Sequence, residues 1–130
     1  MKYLLDTEVL ILIVNESDKL TTKSLQIINN PKNTLLISAA SYHEMAIKIS
    51  KGFILLPISF EELVARIAKE KQSQILPIKP SHSVQLSKMP YENDHKDPFD
   101  RIIIASAIVE KIPVIASDSK FRRYPIQIIW

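Results

Sequence analysis

The sequence contains no cysteine. A disulfide framework and a thiolate metal site are therefore excluded, and a reducing compartment such as the cytoplasm is favoured. Glycine is almost as scarce, with Gly52 the single example in 130 residues. Loops that cradle the phosphates of dinucleotides or nucleoside triphosphates need several glycines, so that backbone N–H groups can close on the anion. NAD, FAD and Walker-type nucleotide binding are thus close to excluded. Long apolar runs are also missing. The opening "MKYLLDTEVLILIVNES" is interrupted by Asp6 and Glu8 and is not followed by a small-residue cleavage site. Neither a signal peptide nor a membrane span of about 20 apolar residues is expected. Nor does one sign of charge dominate. Seventeen basic against fourteen acidic residues leave a formal charge of +3, a mild lean toward polyanions.

What is present fits one domain over residues 1–130, with no internal repeat, linker or low-complexity stretch. A chain of this length buries roughly two thirds of its unfolded surface on folding, enough for a core without staples. Lys2 to Leu5 read as a short buried strand ending at Asp6, and Thr7 to Val14 as a helix. Lys19 to Asn30 give a second helix stopped by "NNP". "NTLLIS" (Asn33 to Ser38) is a second buried strand, followed by a helix capped by Ser38 and stopped at Gly52. After the break at Pro57, "SFEELVARIAKEK" carries a capping pattern at Ser59. "SQILPI" is a third strand and "SHSVQLSKM" a short helix. The strongest helix spans Asp97 to Lys111, with Asp97 as cap and Pro98 in the first helical position. "PVIAS" and "IQIIW" are the last strands, joined by a helical turn around Ser119 to Arg122. The alternation predicts a three-layer α/β/α sandwich around a parallel sheet of about five short strands.

The carboxylates fall into two populations. Glu61, Glu62, Glu70 and Glu110 lie on helix faces or ends beside lysines and arginines, as a solvated surface would have them. Asp6 and Asp118 instead stand at the C-terminal ends of strands, the sheet edge where sites form in open α/β folds. Each could simply cap the helix that follows it. Asp97 is the best cap of all, and Asp100 could complete a capping box with it. Yet a side chain one turn into a helix, as for Asp100, or one to two turns in, as for Glu44, points back toward the helix N-terminus, which for both is the same sheet edge. Asp6, Glu44, Asp100 and Asp118 would then converge from four separate segments. Two carboxylates about 5 Å apart at an effective dielectric of 20 repel by ~3 kcal/mol, and four make six such pairs. Net domain stability does not cover that unless protons or cations intervene. Oxygen ligands without cysteine, and with His43, His82 and His95 scattered along the chain, suit Mg²⁺ or Mn²⁺ rather than zinc. Such a site supports metal-assisted attack of water on a phosphodiester, with no side-chain nucleophile.

"YLLDT", "SAASYHEMAIKISKG", "HKDPFDRIIIASAIVE" and "VIASDSKFRRY" resemble, in that order and over nearly the full length, the PIN-domain ribonucleases, in particular the VapC-type toxins of prokaryotic toxin–antitoxin pairs. The resemblance implies a compact α/β/α fold and RNA hydrolysis with Mg²⁺ or Mn²⁺ held by Asp6, Glu44, Asp100 and Asp118. It leaves Asp97 as a cap, a further ligand, or both. It also implies a small antitoxin partner and a homodimer through the early helices, where Leu10, Ile11, Ile13 and Val14 supply apolar surface that would equally suit an ordinary core. RNA rather than DNA rests on the resemblance alone. Glu8, where many relatives carry histidine or a small polar residue, and Lys120, where some carry an acid, depart from the pattern and leave the number of metal ions open. Lys120, Arg122 and Arg123, with Lys48 and Lys51 as weaker candidates, place positive charge near the cluster for gripping phosphates.

Two alternatives compete. "LLDTE" and "LLIS" after strands mimic a haloacid-dehalogenase-like phosphatase in which Asp6 would be a covalent nucleophile, but Glu8 stands where a second aspartate is needed. The other is a PIN-like module that has lost catalysis and only binds RNA or protein.

Overall fold

A computed structural model describes residues 1–70, 73–91 and 94–130. Its centre is β1 (Lys2–Leu5), in which three buried residues, Tyr3, Leu4 and Leu5, follow Lys2 without interruption, as suits a strand covered on both faces. β1 pairs in parallel with β2 (Thr34–Ser38) on one side, Leu5 opposite Ile37, and with β4 (Val114–Ile115) on the other, Leu5 opposite Ile115. β3 (Gln74–Leu76) and β5 (Ile128–Ile129) complete a five-stranded, all-parallel sheet of order β3-β2-β1-β4-β5.

The two-residue period of the strands divides the core between the faces. Tyr3, Leu5, Leu35, Ile37 and Ile115 pack against α1 (Thr7–Asn15), α2 (Thr22–Ile28) and α4 (Phe60–Glu70). Leu4, Leu36 and Val114 pack on the opposite side beneath α6 (Pro98–Glu110), and Met89, just after α5 (Pro80–Lys88), joins that cluster. α3 (Ala39–Ser50) reaches both clusters, through Met45 and Ala40. The result is the expected α/β/α sandwich.

Local chemistry explains most boundaries. Ser38 Oγ accepts from the Ala40 N–H and Ser59 Oγ from the Glu62 N–H, so both expected caps are present. Gly52, at φ +74°, follows the end of α3 in a left-handed conformation that a side chain would strain. The helix expected over Lys19–Asn30 is shorter. Ser17–Lys19 form a separate 3₁₀ turn, Leu20 is extended and buried, and Thr21 caps α2 by accepting from the Ser24 N–H at 3.1 Å. The last two strands are likewise trimmed to two residues each. The helix expected to reach Lys71 is seen to Glu70, and Lys71 lies outside the described residues. No described helix is long and apolar enough to cross a membrane.

Of the early apolar residues, Leu10 is buried in the core, while Ile11, Ile13 and Val14 are partly buried and pack against it.

Candidate metal centre

Strand order reverses between β1 and β4, and the chain leaves each of these strands at the same edge. Such a switch point opens a crevice beyond the strand C-termini. Asp6 directly follows β1, and Asp118 follows β4 by three residues. α3 and α6 run back across the sheet, so their N-terminal ends lie at that edge, with Glu44 in the second turn of α3 and Asp100 in the first turn of α6. Asp6, Glu44, Asp100 and Asp118 line one cavity of about 200 Å³, which Asp97, Glu8 and Lys48 also border. Among the described residues, six carboxylates and one lysine line this cavity.

The capping explanation fits some of these residues and fails for others. Asp97 Oδ1 accepts from the N–H groups of Phe99 (2.8 Å) and Asp100 (3.1 Å), so Asp97 is a true cap as well as part of the cavity wall. Asp118 Oδ1 accepts from the Lys120 N–H at 2.9 Å, capping the 3₁₀ turn Ser119–Arg123. Asp6 occupies the cap position of α1, yet its side chain makes no capping bond. Asp100 builds no capping box with Asp97. Its Oδ2 meets His95 Nε2 at 3.3 Å instead. Glu44 Oε2 accepts from Lys48 Nζ at 2.7 Å, one turn along α3.

Two oxygens have no partner. Asp6 Oδ1 and Glu44 Oε1 are the buried side-chain polar atoms left without a hydrogen bond among the described residues. Both residues are nearly inaccessible, at 4% and 3% relative exposure. A buried orphan acceptor costs roughly 1–3 kcal/mol, more if charged, and two in one cavity call for a cation or protons. The electrostatics agree. Burial, then the charge of Asp100, pushes the Asp6 carboxyl up from 3.8 to about 8. Burial, then Asp97, raises Asp100 from 3.8 to about 6, with the His95 hydrogen bond opposing the rise. The donor set is hard oxygen at its centre, which fits Mg²⁺ or Mn²⁺.

The basic residues expected to grip phosphates are placed less favourably. Lys48 borders the cavity, but its ammonium is held by Glu44. Arg123 forms a two-pronged pair with Asp94 at 2.6 and 2.7 Å, away from the cavity lining. Lys120 and Arg122 lie on the turn that follows Asp118, and Lys51 caps the C-terminus of α3. None of these three lines the cavity. His95 is the residue that sequence reasoning passed over as scattered. It is buried beside Asp100, and one ligand atom each from His95, Asp100 and Asp118 lie within 4.8 Å of one another. Its place five residues before Asp100, outside any helix or strand, gave no periodic signal. His82 is buried elsewhere, between the Lys79 N–H and Glu110. His43 makes a ring contact with Phe99 at 6.0 Å and does not line the cavity.

Comparison with known proteins follows the same lines. The family model described as PIN domain matches residues 3–127. Among curated proteins, none matches the sequence significantly. The fold is similar to that of VapBC2 from Rickettsia felis, solved bound to a DNA fragment from its promoter, with TM-score 0.68, 17% identity and 99% and 98% of the two chains covered. It is also similar to VapBC-1 from nontypeable Haemophilus influenzae, with TM-score 0.59, 19% identity and 99% and 97% covered. FitAcB from Neisseria gonorrhoeae gives TM-score 0.59 and 17% identity, with 98% and 96% covered. At such identities these structures speak for the fold, whereas the family model spans nearly the whole sequence. The chain belongs to the PIN-domain family.

Proposed function

We propose that this protein is a metal-dependent endoribonuclease, the toxin of a toxin–antitoxin pair, working as a single PIN-like domain over residues 1–130 in the cytoplasm. The observation that carries the reading is the pair of buried, unpartnered oxygens, Asp6 Oδ1 and Glu44 Oε1, in the walls of a cavity shared with Asp100 and Asp118. These four carboxylates would hold Mg²⁺ or Mn²⁺, and the second oxygen of Asp97 is free of capping duty for the same use. The cation supplies Lewis acidity for attack of water on a phosphodiester. Asp6 and Glu44, fixed by the sheet edge and by α3, set the depth of the site. Asp100 and Asp118 line the same cavity. Lys120 and Arg122, on the turn that follows Asp118, are the cations we assign to the flanking phosphates, since Lys48 and Arg123 already have carboxylate partners.

A protein antitoxin is the expected partner, supported by the two-component VapBC and FitAcB assemblies whose toxin fold this chain shares. A homodimer through α1, using Ile11, Ile13 and Val14, is part of the same reading. The phosphatase alternative loses its footing to the family match, and Glu8, which would have to serve as its acid/base, sits exposed at the cavity rim.

The deciding experiment sequences the 5′ ends of RNA cleaved by wild type, Asp6→Asn and Asp100→Asn, with Mn²⁺ and with EDTA. Cleavage by wild type only, and only with metal, is expected. Wild-type rates from Asp100→Asn would sink the reading. A metal-induced rise in melting temperature identical in wild type and Asp6→Asn would point instead to a binding module without a working site.

A further inference from the structure

His95 is tied into a chain of contacts that ends on Asp100. Its ring is buried, at 3% exposure, between Phe121 and Tyr124, with ring centroids 5.8 and 5.5 Å away. Nδ1 lies 2.9 Å from Tyr124 Oη, and Nε2 lies 3.3 Å from Asp100 Oδ2. Behind them stands Arg101, also buried, whose Nη1 donates to Tyr124 Oη at 3.4 Å and to the Pro90 carbonyl at 2.9 Å. Its Nη2 donates to the Met89 carbonyl at 3.5 Å.

The direction of this chain follows from its donors. A guanidinium has only N–H groups to offer, so Tyr124 Oη accepts from Arg101 and has its own proton for His95 Nδ1. That assigns the remaining proton of the ring to Nε2, facing the Asp100 carboxylate. A doubly protonated ring would present the same N–H to Asp100. The opposite tautomer would set a nitrogen lone pair against a carboxylate oxygen in a buried setting, which is repulsive.

We propose that His95 is a positioning residue for Asp100. Its Nε2–H fixes Oδ2, leaving Oδ1 as the oxygen available to a cation, while Tyr124 and Arg101 lock the ring in the orientation that does so. The proposal rests on the metal-site reading above and adds to it a support outside the acidic cluster. Carboxylates that ligate metals are commonly held by such hydrogen bonds, and losing one typically weakens metal affinity 10- to 100-fold. The nearness of His95 to both Asp100 and Asp118 would also permit direct ligation by the ring, and the two roles give different spectra.

The test measures Mn²⁺ binding by calorimetry on EDTA-stripped wild type, His95→Ala, His95→Gln and Tyr124→Phe, after circular dichroism has confirmed the fold of each. His95→Ala is expected to bind at least about tenfold more weakly. His95→Gln, whose amide N–H can take the place of Nε2–H, should recover most of that loss, and Tyr124→Phe should fall between. Should His95→Ala fail to fold, the glutamine and phenylalanine variants carry the comparison. Wild-type affinity in folded His95→Ala or in Tyr124→Phe would overturn the proposal, and so would a glutamine variant that binds no better than alanine. A ¹⁴N coupling in the electron spin-echo spectrum of bound Mn²⁺ would overturn positioning in favour of ligation. Failure of the wild type itself to bind Mn²⁺ would overturn the metal-site reading, and the proposal with it.

Discussion

Lys48 reaches back one turn of α3 to hold Glu44 Oε2 at 2.7 Å, and leaves Glu44 Oε1 buried without a partner. The lysine thus neutralises half of a carboxylate whose other half is offered to the cavity. Lys48→Met should lower the stability of the metal-free protein by about 1–2 kcal/mol, less than a fully buried pair would lose because the lysine is partly exposed. The same variant should show a larger rise in melting temperature with Mn²⁺ than wild type, since the lysine and the metal neutralise the same charge. Thermal melts with EDTA and with Mn²⁺ check both halves. An unchanged metal increment would remove Lys48 from the electrostatics of the site.

Among the described residues Asp6 is the most strongly raised carboxyl, and it is deeply buried. Asp6→Asn keeps the shape and removes the need to desolvate or protonate an acid. The metal-free variant should therefore be more stable than wild type near pH 8, by roughly 1–4 kcal/mol. It should also lose metal binding and RNA cleavage together. Urea titrations at matched pH test the first claim, and a variant less stable than wild type would contradict it.

Stability should depend on pH in an unusual direction. An acid whose pKa is higher in the folded chain takes up protons on folding, so its contribution is complete below the unfolded value and is lost as pH rises through the folded one. For Asp6 the window runs from 3.8 to about 8, and for Asp100 from 3.8 to about 6. In EDTA, these two groups should make the urea midpoint fall as pH increases across that range. With saturating Mg²⁺ or Mn²⁺ the slope should flatten, because the cation replaces the protons. A midpoint that rises with pH in EDTA would refute the assignment.

Asp97 serves two roles that substitution can separate. Asparagine caps helices as well as aspartate does, so Asp97→Asn should cost only a few tenths of a kcal/mol, whereas Asp97→Ala should cost about 1 kcal/mol. If the cap were its whole function, Asp97→Asn would bind Mn²⁺ like wild type. We expect severalfold weaker binding, measured by calorimetry, because the charge borders the cavity.

The parts of the fold that could be read in the sequence are those where one local signal decides. Apolar runs closed by a carboxylate or serine mark β1 and β2, and Ser38, Ser59 and Asp97 announce their helices. The convergence of Asp6, Glu44, Asp100 and Asp118 could be inferred because strand ends and helix starts must share an edge in a parallel sheet. What escaped depends on partners distant in sequence. Thr21 caps α2 only because Leu20 is drawn into the core, breaking a pattern that otherwise suggested one longer helix. β4 and β5 are short because pairing extends only where their neighbours run alongside. Lys48 and Arg123 looked like free cations, but Glu44 and Asp94 claim them. His95 owes its position to Tyr124 and Phe121, which come much later in the chain.

Asp6 and Asp118 stand just past the ends of β1 and β4, strands that flank each other in space but are separated by most of the polypeptide. As the ribosome extends the chain, β1, its helices and β2 can already assemble. The pocket still lacks a wall until the residues around Asp118 emerge and β4 docks beside β1. On the proposed reading, an RNA-cutting enzyme would be harmless until that segment has been made and has docked. Its activity would switch on at completion of the fold, the same moment at which an antitoxin would have to be waiting.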